Sequence, residues 1–391
     1  MKKKKVVLLI TGLYYGGMER VAFIAHSLLK EQYDVSVVTL YAKEADYKPE
    51  FKYIDLNCPP KSNKFLKLLN IVKRTHAVRK MKKEINPDIV MSFGTSANFA
   101  NVSSKGKEKV VVGIRSYDWL TDYFANYSID KWVYNRADLV VSVSKVIAEK
   151  AESVFHIEKS KSKVLYNPYD VEYIRKKAEE QITEIDIPKN GKIVISVGRL
   201  VNQKGFNHLI KAFSQVLNDI PDALLLIVGH GDKDSKLRKL ISDLGLEDHV
   251  VLLGGQDNPY KFMKMANLYV LSSITEGFPN AMVEAMSVGL PVVAVDCKSG
   301  PREILSLSNH DKEAQGIEES DYGIISPEAS KSFDYDANNF EECDYVLANG
   351  MKMLLNNSDL RSHYSNKSYE RAHEFTYEKF KSNLISIFES L

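Results

Sequence analysis

Cysteine is scarce: Cys58, Cys297 and Cys343 are the only three in 391 residues, and no two form a C-x-x-C pair. That excludes a disulfide framework and a cysteine zinc site, and it suits a reducing cytoplasm. Long apolar runs are missing too. No stretch approaches the roughly 18 residues a membrane span needs, so a soluble protein is expected. The basic start, Met1-Lys2-Lys3-Lys4-Lys5, could open a signal peptide, but the apolar run behind it, Val6 to Ile10, ends at Thr11-Gly12. It is too short for an h-region and lacks a small-residue cleavage site, so it reads as the first strand. Low-complexity tracts are absent. After that first strand there is neither a G-x-G-x-x-G nor the G-K-[ST] of a P-loop, which argues against a nicotinamide dehydrogenase.

What is present is a globular balance, 44% hydrophobic and 27% charged, over a length that suits two domains with separate cores. The net charge of +2 conceals an uneven distribution. Nine Lys/Arg and no acid lie between Lys61 and Lys83, leaving a net −7 for the rest of the chain. Within that segment Phe65, Leu68, Leu69 and Val72 recur at helical spacing. The combination fits an interfacial helix docking on the inner membrane face; it also fits an apolar stripe packed on a sheet beneath solvated lysines. Nothing points to nucleic acid.

Short β-rich runs alternate with helical patterns from end to end, the signature of parallel sheets covered by helices on both faces. Strands are expected at Val6–Ile10, Val35–Leu40, Ile89–Phe93, Val110–Ile114, Leu139–Ser142 and Val164–Tyr166. The scheme restarts with Ile193–Val197, Leu224–Val228, Val250–Leu253, Leu268–Leu271 and Val292–Val295. Between the halves, Asn167-Pro168, a charged stretch and Pro188-Lys189-Asn190-Gly191 read as a linker. The fold class expected is α/β, two Rossmann-like domains whose parallel sheets face a cleft. They span residues 1–170 and 171–375, and a last helix at 376–391 either stays with the second domain or crosses back to the first.

Three segments carry chemistry. Thr11 to Gly17 holds Gly16 and Gly17 between the first strand and its helix, where backbone can approach a ligand and helix amides can meet an anion. A tight turn and a phosphate or sugar contact are both compatible with it. Gly198-Arg199-Leu200 and Lys204-Gly205 follow the first strand of the second half, so two cations at a strand end can both reach a diphosphate. Glu276-Gly277-Phe278-Pro279-Asn280-Ala281-Met282-Val283-Glu284 places a carboxylate before a helix and another on it, with Pro279 in its first turn. That arrangement suits hydroxyl groups better than metal. Asp232-Lys233-Asp234 and Asp334-Tyr335-Asp336 are formal Asp-x-Asp triplets, but turn and capping roles explain them better.

Together E-G-F-P-N-A-M-V-E (276–284), G-R-L with K-G (198–205) and G-L-P-V-V-A (289–294) resemble the retaining GT-B glycosyltransferases of family 4, over essentially the whole chain. The resemblance implies an acceptor-binding first domain and a nucleotide-sugar-binding second domain. It makes Arg199 and Lys204 ligands of the donor diphosphate and Glu284 the ribose ligand, and it sets Glu276 on the hydroxyls of the transferred sugar. Backbone around Phe278, Pro279, Asn280, Ala281 and Met282 would line the sugar and phosphate site. Where many members carry a histidine, this chain has Arg115, a candidate acceptor or sugar contact. No metal or cofactor is implied. With Gly300-Pro301-Arg302-Glu303, the pattern resembles bacterial cell-surface polysaccharide enzymes that use UDP-hexoses or UDP-N-acetylhexosamines on a lipid-linked glycan. A nucleotide-sugar epimerase of the same fold and a non-catalytic sugar-nucleotide binding protein are the competing readings.

Overall fold

The computed structural model describes residues 2–13, 17–42, 51–117, 127–183, 185, 191–308 and 312–391. The chain forms two compact units, Met1–Pro168 with Tyr377–Leu391, and Tyr169–Thr376.

The first unit holds strands β1 (Lys5–Ile10), β2 (Asp34–Thr39), β3 (Tyr53–Asp55), β4 (Ile89–Phe93), β5 (Lys109–Ile114), β6 (Leu139–Ser142) and β7 (Ser162–Val164). They form one sheet in the order β3-β2-β1-β4-β5-β6-β7, with every pairing parallel. The central strands are buried on both faces, which explains their continuous apolar runs. Helices α1 (Gly17–Leu29), α2 (Lys64–Ile85), α3 (Thr95–Ser103), α4 (Tyr127–Arg136) and α5 (Lys145–Phe155) supply the crossovers. The chain end, α14 (Tyr377–Glu389), sends Phe380, Leu384, Ile387 and Phe388 into the same core as β1 and α1.

The second unit repeats the plan. Strands β8 (Ile193–Val197), β9 (Leu224–Val228), β10 (Val250–Gly254), β11 (Leu268–Leu271), β12 (Val292–Val295), β13 (Glu318–Ser320) and β14 (Gly323–Ser326) lie in the order β10-β9-β8-β11-β12-β14-β13. Among the described strands only β13 runs antiparallel, against β14 at the sheet edge. Around them lie α7 (Phe206–Leu217), α8 (Asp234–Asp243), α9 (Tyr260–Met265), α10 (Asn280–Ser287), α11 (Pro301–Leu305), α12 (Glu342–Asn356) and α13 (Ser358–Ala372). In both sheets the strand order reverses beside the first strand, between β1 and β4 and between β8 and β11. Open α/β sheets bind ligands at the carboxyl ends of the strands flanking such a reversal.

Several expectations need correction. The stretch after Asn167 is not simply a linker: it contains α6 (Val171–Ala178), capped by Asp170 Oδ1, which accepts from Tyr173 N at 2.9 Å. Val171, Ile174 and Ala178 line one side and are buried, so three apolar residues suffice to dock a helix whose other positions are mostly charged. The Pro188 turn lies outside the described residues. The strand expected at Val164–Tyr166 is displaced to Ser162–Val164. Pro279 stands at the N-cap of α10 rather than inside its first turn. The apolar stripe of α2 is not packed on the sheet: Phe65, Leu68 and Val72 are all more than half exposed.

Candidate active site

The site forms where β8 and β11 end in the second unit. After β8, Gly198 N bonds Val228 O at 2.9 Å and Leu200 N bonds His230 O at 2.9 Å, tying this loop to the end of β9. A single 3-10 turn, Asn202–Lys204, then closes on Gly205 at φ +61°. A Cβ at Gly205 would stand 2.0 Å from the Ser272 carbonyl oxygen, so only glycine lets the two loops press together here. That approach carries Lys204 Nζ to within 2.6 Å of Glu276 Oε1, which also accepts from Ser273 Oγ at 2.6 Å. The Lys204 side chain is 24% exposed and that of Glu276 10%, so the pair is largely dry but can be reached. Arg199 is exposed on the same loop.

The segment carrying Glu276 is held from behind. Ser299 Oγ donates to Gly277 O at 2.9 Å, and Ser299 and Gly300 have φ of +68° and +97°. A Cβ on Gly300 would lie 2.6 Å from Pro279 Cδ. Arg302 anchors this support, donating through Nη2 to Asp296 at 2.7 Å and through Nη1 to Glu318 at 3.0 Å. Phe278 is buried with its ring edge-on to Phe375, 5.4 Å between centroids. Asn280 Oδ1 accepts from Tyr169 OH at 2.6 Å, fixing the first residue of α10. The Met282 and Val283 amides bond the Pro279 carbonyl at 3.1 and 3.4 Å, so the ladder of α10 opens at Pro279, and its positive dipole end lies at this turn. Met282 is fully buried. Glu284 lies on the next turn of α10, 6% exposed.

Tyr269 of β11, fully buried, lies close enough to both carboxylates to feel their charge. Burial, and then the charges of Glu276 and Glu284, hold that phenol well above its usual range. Burial does the same to the Cys297 thiol. Both groups are therefore neutral, and neither supplies a thiolate or phenolate nucleophile.

Lys204, Glu276 and the turn before α10 thus come together within one unit. Arg115 belongs to the first unit, where it follows β5 and its guanidinium donates to Asn167 Oδ1. Gly17 opens α1, and Gly16 lies outside the described residues. Sequence reading missed Ser273, Tyr169, Tyr269 and Ser299. It also missed Glu19 in the first turn of α1, whose carboxyl burial raises above its ordinary range; an acid just after Gly16-Gly17 was the available signal.

The acidic triplets are otherwise engaged. Asp232 pairs with Lys233 at 2.6 Å and Asp234 with Arg238 at 2.7 Å, while Asp334 accepts from Asp336 N at 2.8 Å. His208, Cys343 and Asp344 bring three metal-type side chains within 4.8 Å of one another. His208 Nδ1 meets Asp344 Oδ1 at 2.7 Å and Nε2 meets the Ser332 carbonyl oxygen at 3.2 Å. Both partners only accept, so both ring nitrogens carry protons and neither has a lone pair for a metal. Burial opposes that charge, but the bond to Asp344 prevails and lifts the histidine pKa to about 10.

Two doubly wound units with a cationic loop and a carboxylate-bearing helix at the switch point of the second define a GT-B transferase. The family model for Glycosyltransferase Family 4 matches residues 15–173, and that for Glycosyl transferases group 1 matches residues 177–312. Glycosyltransferase MJ1059 of Methanocaldococcus jannaschii is 33% identical over 81% of this chain and 83% of its own. The N-acetylgalactosamine-N,N'-diacetylbacillosaminyl-diphospho-undecaprenol 4-alpha-N-acetylgalactosaminyltransferase of Campylobacter jejuni is 29% identical over 95% and 96%. In fold, the chain is similar to Anabaena HepE in its UDP complex, with a TM-score of 0.76 at 19% identity and full coverage of both chains. The chain belongs to the family 4 and group 1 glycosyltransferases.

Proposed function

We propose that this protein moves a hexose or N-acetylhexosamine from a UDP-sugar onto a lipid-linked glycan, with retention of anomeric configuration and without a metal, as a peripheral enzyme of the cytoplasmic membrane face. The observation that carries this reading is the Lys204–Glu276 pair, 2.6 Å apart at the switch point with Arg199 exposed beside it. Leaving-group charge and sugar hydroxyls then have adjacent partners.

In the reaction the anomeric C–O bond to the diphosphate breaks and its electron pair leaves on the phosphate oxygen. The acceptor hydroxyl oxygen bonds to the same face of the sugar, and its proton passes to that phosphate oxygen. The departing charge is met by Arg199, Lys204 and the amides opening α10, an electrostatic role of the kind that makes one oxyanion-hole donor worth about 10²–10³ in rate. Glu284 takes the ribose hydroxyls and Glu276 those of the sugar, while Arg115 contacts acceptor or sugar from the first unit. The neutrality of Cys297 and Tyr269 supports displacement without a covalent enzyme intermediate.

UDP as carrier is supported by the HepE complex, and a lipid-linked acceptor by the name of the Campylobacter relative. Within the hexose and N-acetylhexosamine range, that name favours an N-acetylgalactosamine donor. No helix among the described residues is long and apolar enough to cross a membrane, so attachment would be peripheral, through α2. A donor-hydrolysis screen over UDP-, GDP- and ADP-sugars tests the reading, since slow hydrolysis needs no acceptor. Hydrolysis confined to UDP-sugars and surviving EDTA is expected; preference for another nucleotide, or a loss that manganese restores, overturns the corresponding part.

A further inference from the structure

The outer side of α2 changes character along its length. Phe65, Leu68, Leu69 and Val72 share that side with Arg79 and Lys83, spaced by threes, fours and their multiples. Asn70, Val78 and Met81 lie on the opposite side and are buried. The apolar four are exposed by 68%, 61%, 51% and 63%, far more than isolated surface residues require. Lys83 lies eleven positions after Val72, a rise of about 16 Å.

At the cationic end α2 runs into a cavity of about 830 Å³ at the N-terminal edge of the first sheet, where β1, β4 and β5 begin. Its acids are already engaged. Asp88 Oδ2 accepts from Lys5 N at 2.7 Å, and Glu108 receives the buried Lys82 Nζ at 2.7 Å and Gly106 N at 3.1 Å. Lys4, Arg79, Lys83, Lys107 and Lys109 remain on its walls, all exposed. Gathering so many like charges within a Debye length is unfavourable unless an anion is shared among them.

We propose that α2 and this cavity form one lipid-contact surface, in which the first turns of the helix enter the bilayer and the cavity receives the phosphate headgroup of an anionic phospholipid. The helix then lies obliquely. Its apolar end sinks the roughly 5–10 Å typical of interfacial helices, and a descent of that size over about 16 Å keeps the cavity at the level of the lipid phosphates. The cavity is lined by first-unit residues alone, and none of the residues assigned to the donor contributes to it. This inference rests on the peripheral-membrane reading and adds to it a headgroup site.

Flotation of the full chain with vesicles of phosphatidylcholine, alone or mixed with phosphatidylglycerol, tests it. The wild type is expected to float only with the anionic vesicles. Combined Lys83→Glu, Lys107→Glu and Lys109→Glu should lower the partition coefficient by more than about tenfold, since each cation near an anionic leaflet contributes measurably to binding. These positions are exposed, so an unchanged melting curve should confirm that the variant folds. Combined Phe65→Ser, Leu68→Ser and Val72→Ser should weaken binding while leaving its salt dependence in place. A wild type that never floats overturns the membrane reading and this inference with it. A wild type that floats, with a Lys83, Lys107 and Lys109 variant that floats equally well, overturns the headgroup site alone. Inorganic phosphate matched to the lipid phosphate should not release the protein; release would assign the cavity to free phosphate and overturn the proposal. A lipid-free dimer that the serine variant abolishes would assign the apolar turns to a second copy and overturn it as well.

Discussion

Replacing Glu284 by glutamine separates nucleotide recognition from chemistry. The side chain is 6% exposed on α10, and glutamine preserves its volume, so the substitution removes charge without opening a cavity. A carboxylate can accept both ribose hydroxyls through charge-assisted bonds, whereas the amide keeps a single neutral acceptor oxygen. The difference is worth about 1.5–3 kcal/mol. At 1.4 kcal/mol per decade, that weakens the Kd by about 10- to 150-fold. If the lost contact is to ribose, as proposed, free UDP must feel it as strongly as the complete donor. Glu276→Gln provides the contrast. It breaks the 2.6 Å pair with Lys204 but leaves Glu284 in place, so on the proposed assignment turnover should fall while UDP affinity is spared. Titration calorimetry with UDP against wild type and both variants reads this directly. Equal UDP affinity for wild type and Glu284→Gln would refute the ribose assignment.

Arg199→Ala should cut turnover at saturating donor by about 10²-fold, because leaving-group charge grows toward the transition state; an unchanged rate in a steady-state assay would remove Arg199 from the mechanism. Gly300→Ala drives a Cβ to 2.6 Å from Pro279 Cδ, so a lower melting temperature, from about 1–3 kcal/mol of overpacking, should accompany a raised donor KM. An unshifted KM would show that the Ser299–Gly300 support does not set the site loop. The His208–Asp344 pair makes stability depend on pH in a stated direction. Its folded pKa of about 10 lies above the ordinary 6.5, so its contribution is complete below pH 6.5 and is lost as pH rises toward 10. Asp344→Asn should melt earlier at neutral pH and show a shallower decline between those values; parallel melting curves would count against the charged pair.

How much could be read beforehand depended on burial. β1, β4 and β6 are covered on both faces and announce themselves as unbroken apolar runs. β3, Tyr53–Asp55, lies on an edge with all three residues exposed, and β13, Glu318–Ser320, is a polar edge strand; neither has a period to detect. The charges of α6 hid a helix whose docking needs only Val171, Ile174 and Ala178. In α2 the difficulty was of another kind. The spacing of Phe65, Leu68, Leu69 and Val72 defines a side of a helix, but periodicity does not say whether that side meets a sheet or solvent, and only the packing of Asn70, Val78 and Met81 decides it.

The site shows the same division between members and arrangement. Short patterns located Lys204 and Glu276, yet the bond between them joins residues 72 apart and exists because Gly205 lets one loop lie on another. Gly300-Pro301-Arg302-Glu303 makes the point more sharply. Read as a motif, it spoke of a pathway and a donor; in the fold its arginine is a strut between Asp296 and Glu318, and its glycine is the floor on which Pro279 rests. A sequence that keeps Glu276-Gly277-Phe278-Pro279-Asn280 in place needs a residue without a Cβ behind Pro279 and an anchor for the backbone that presents it. The two patterns are therefore bound to each other by packing, whichever sugar is transferred. On the proposed assignment donor choice is to be sought in Glu276 and the turn before α10, and exchanging the G-P-R-E segment alone would alter how firmly that turn is held before it altered which donor is used.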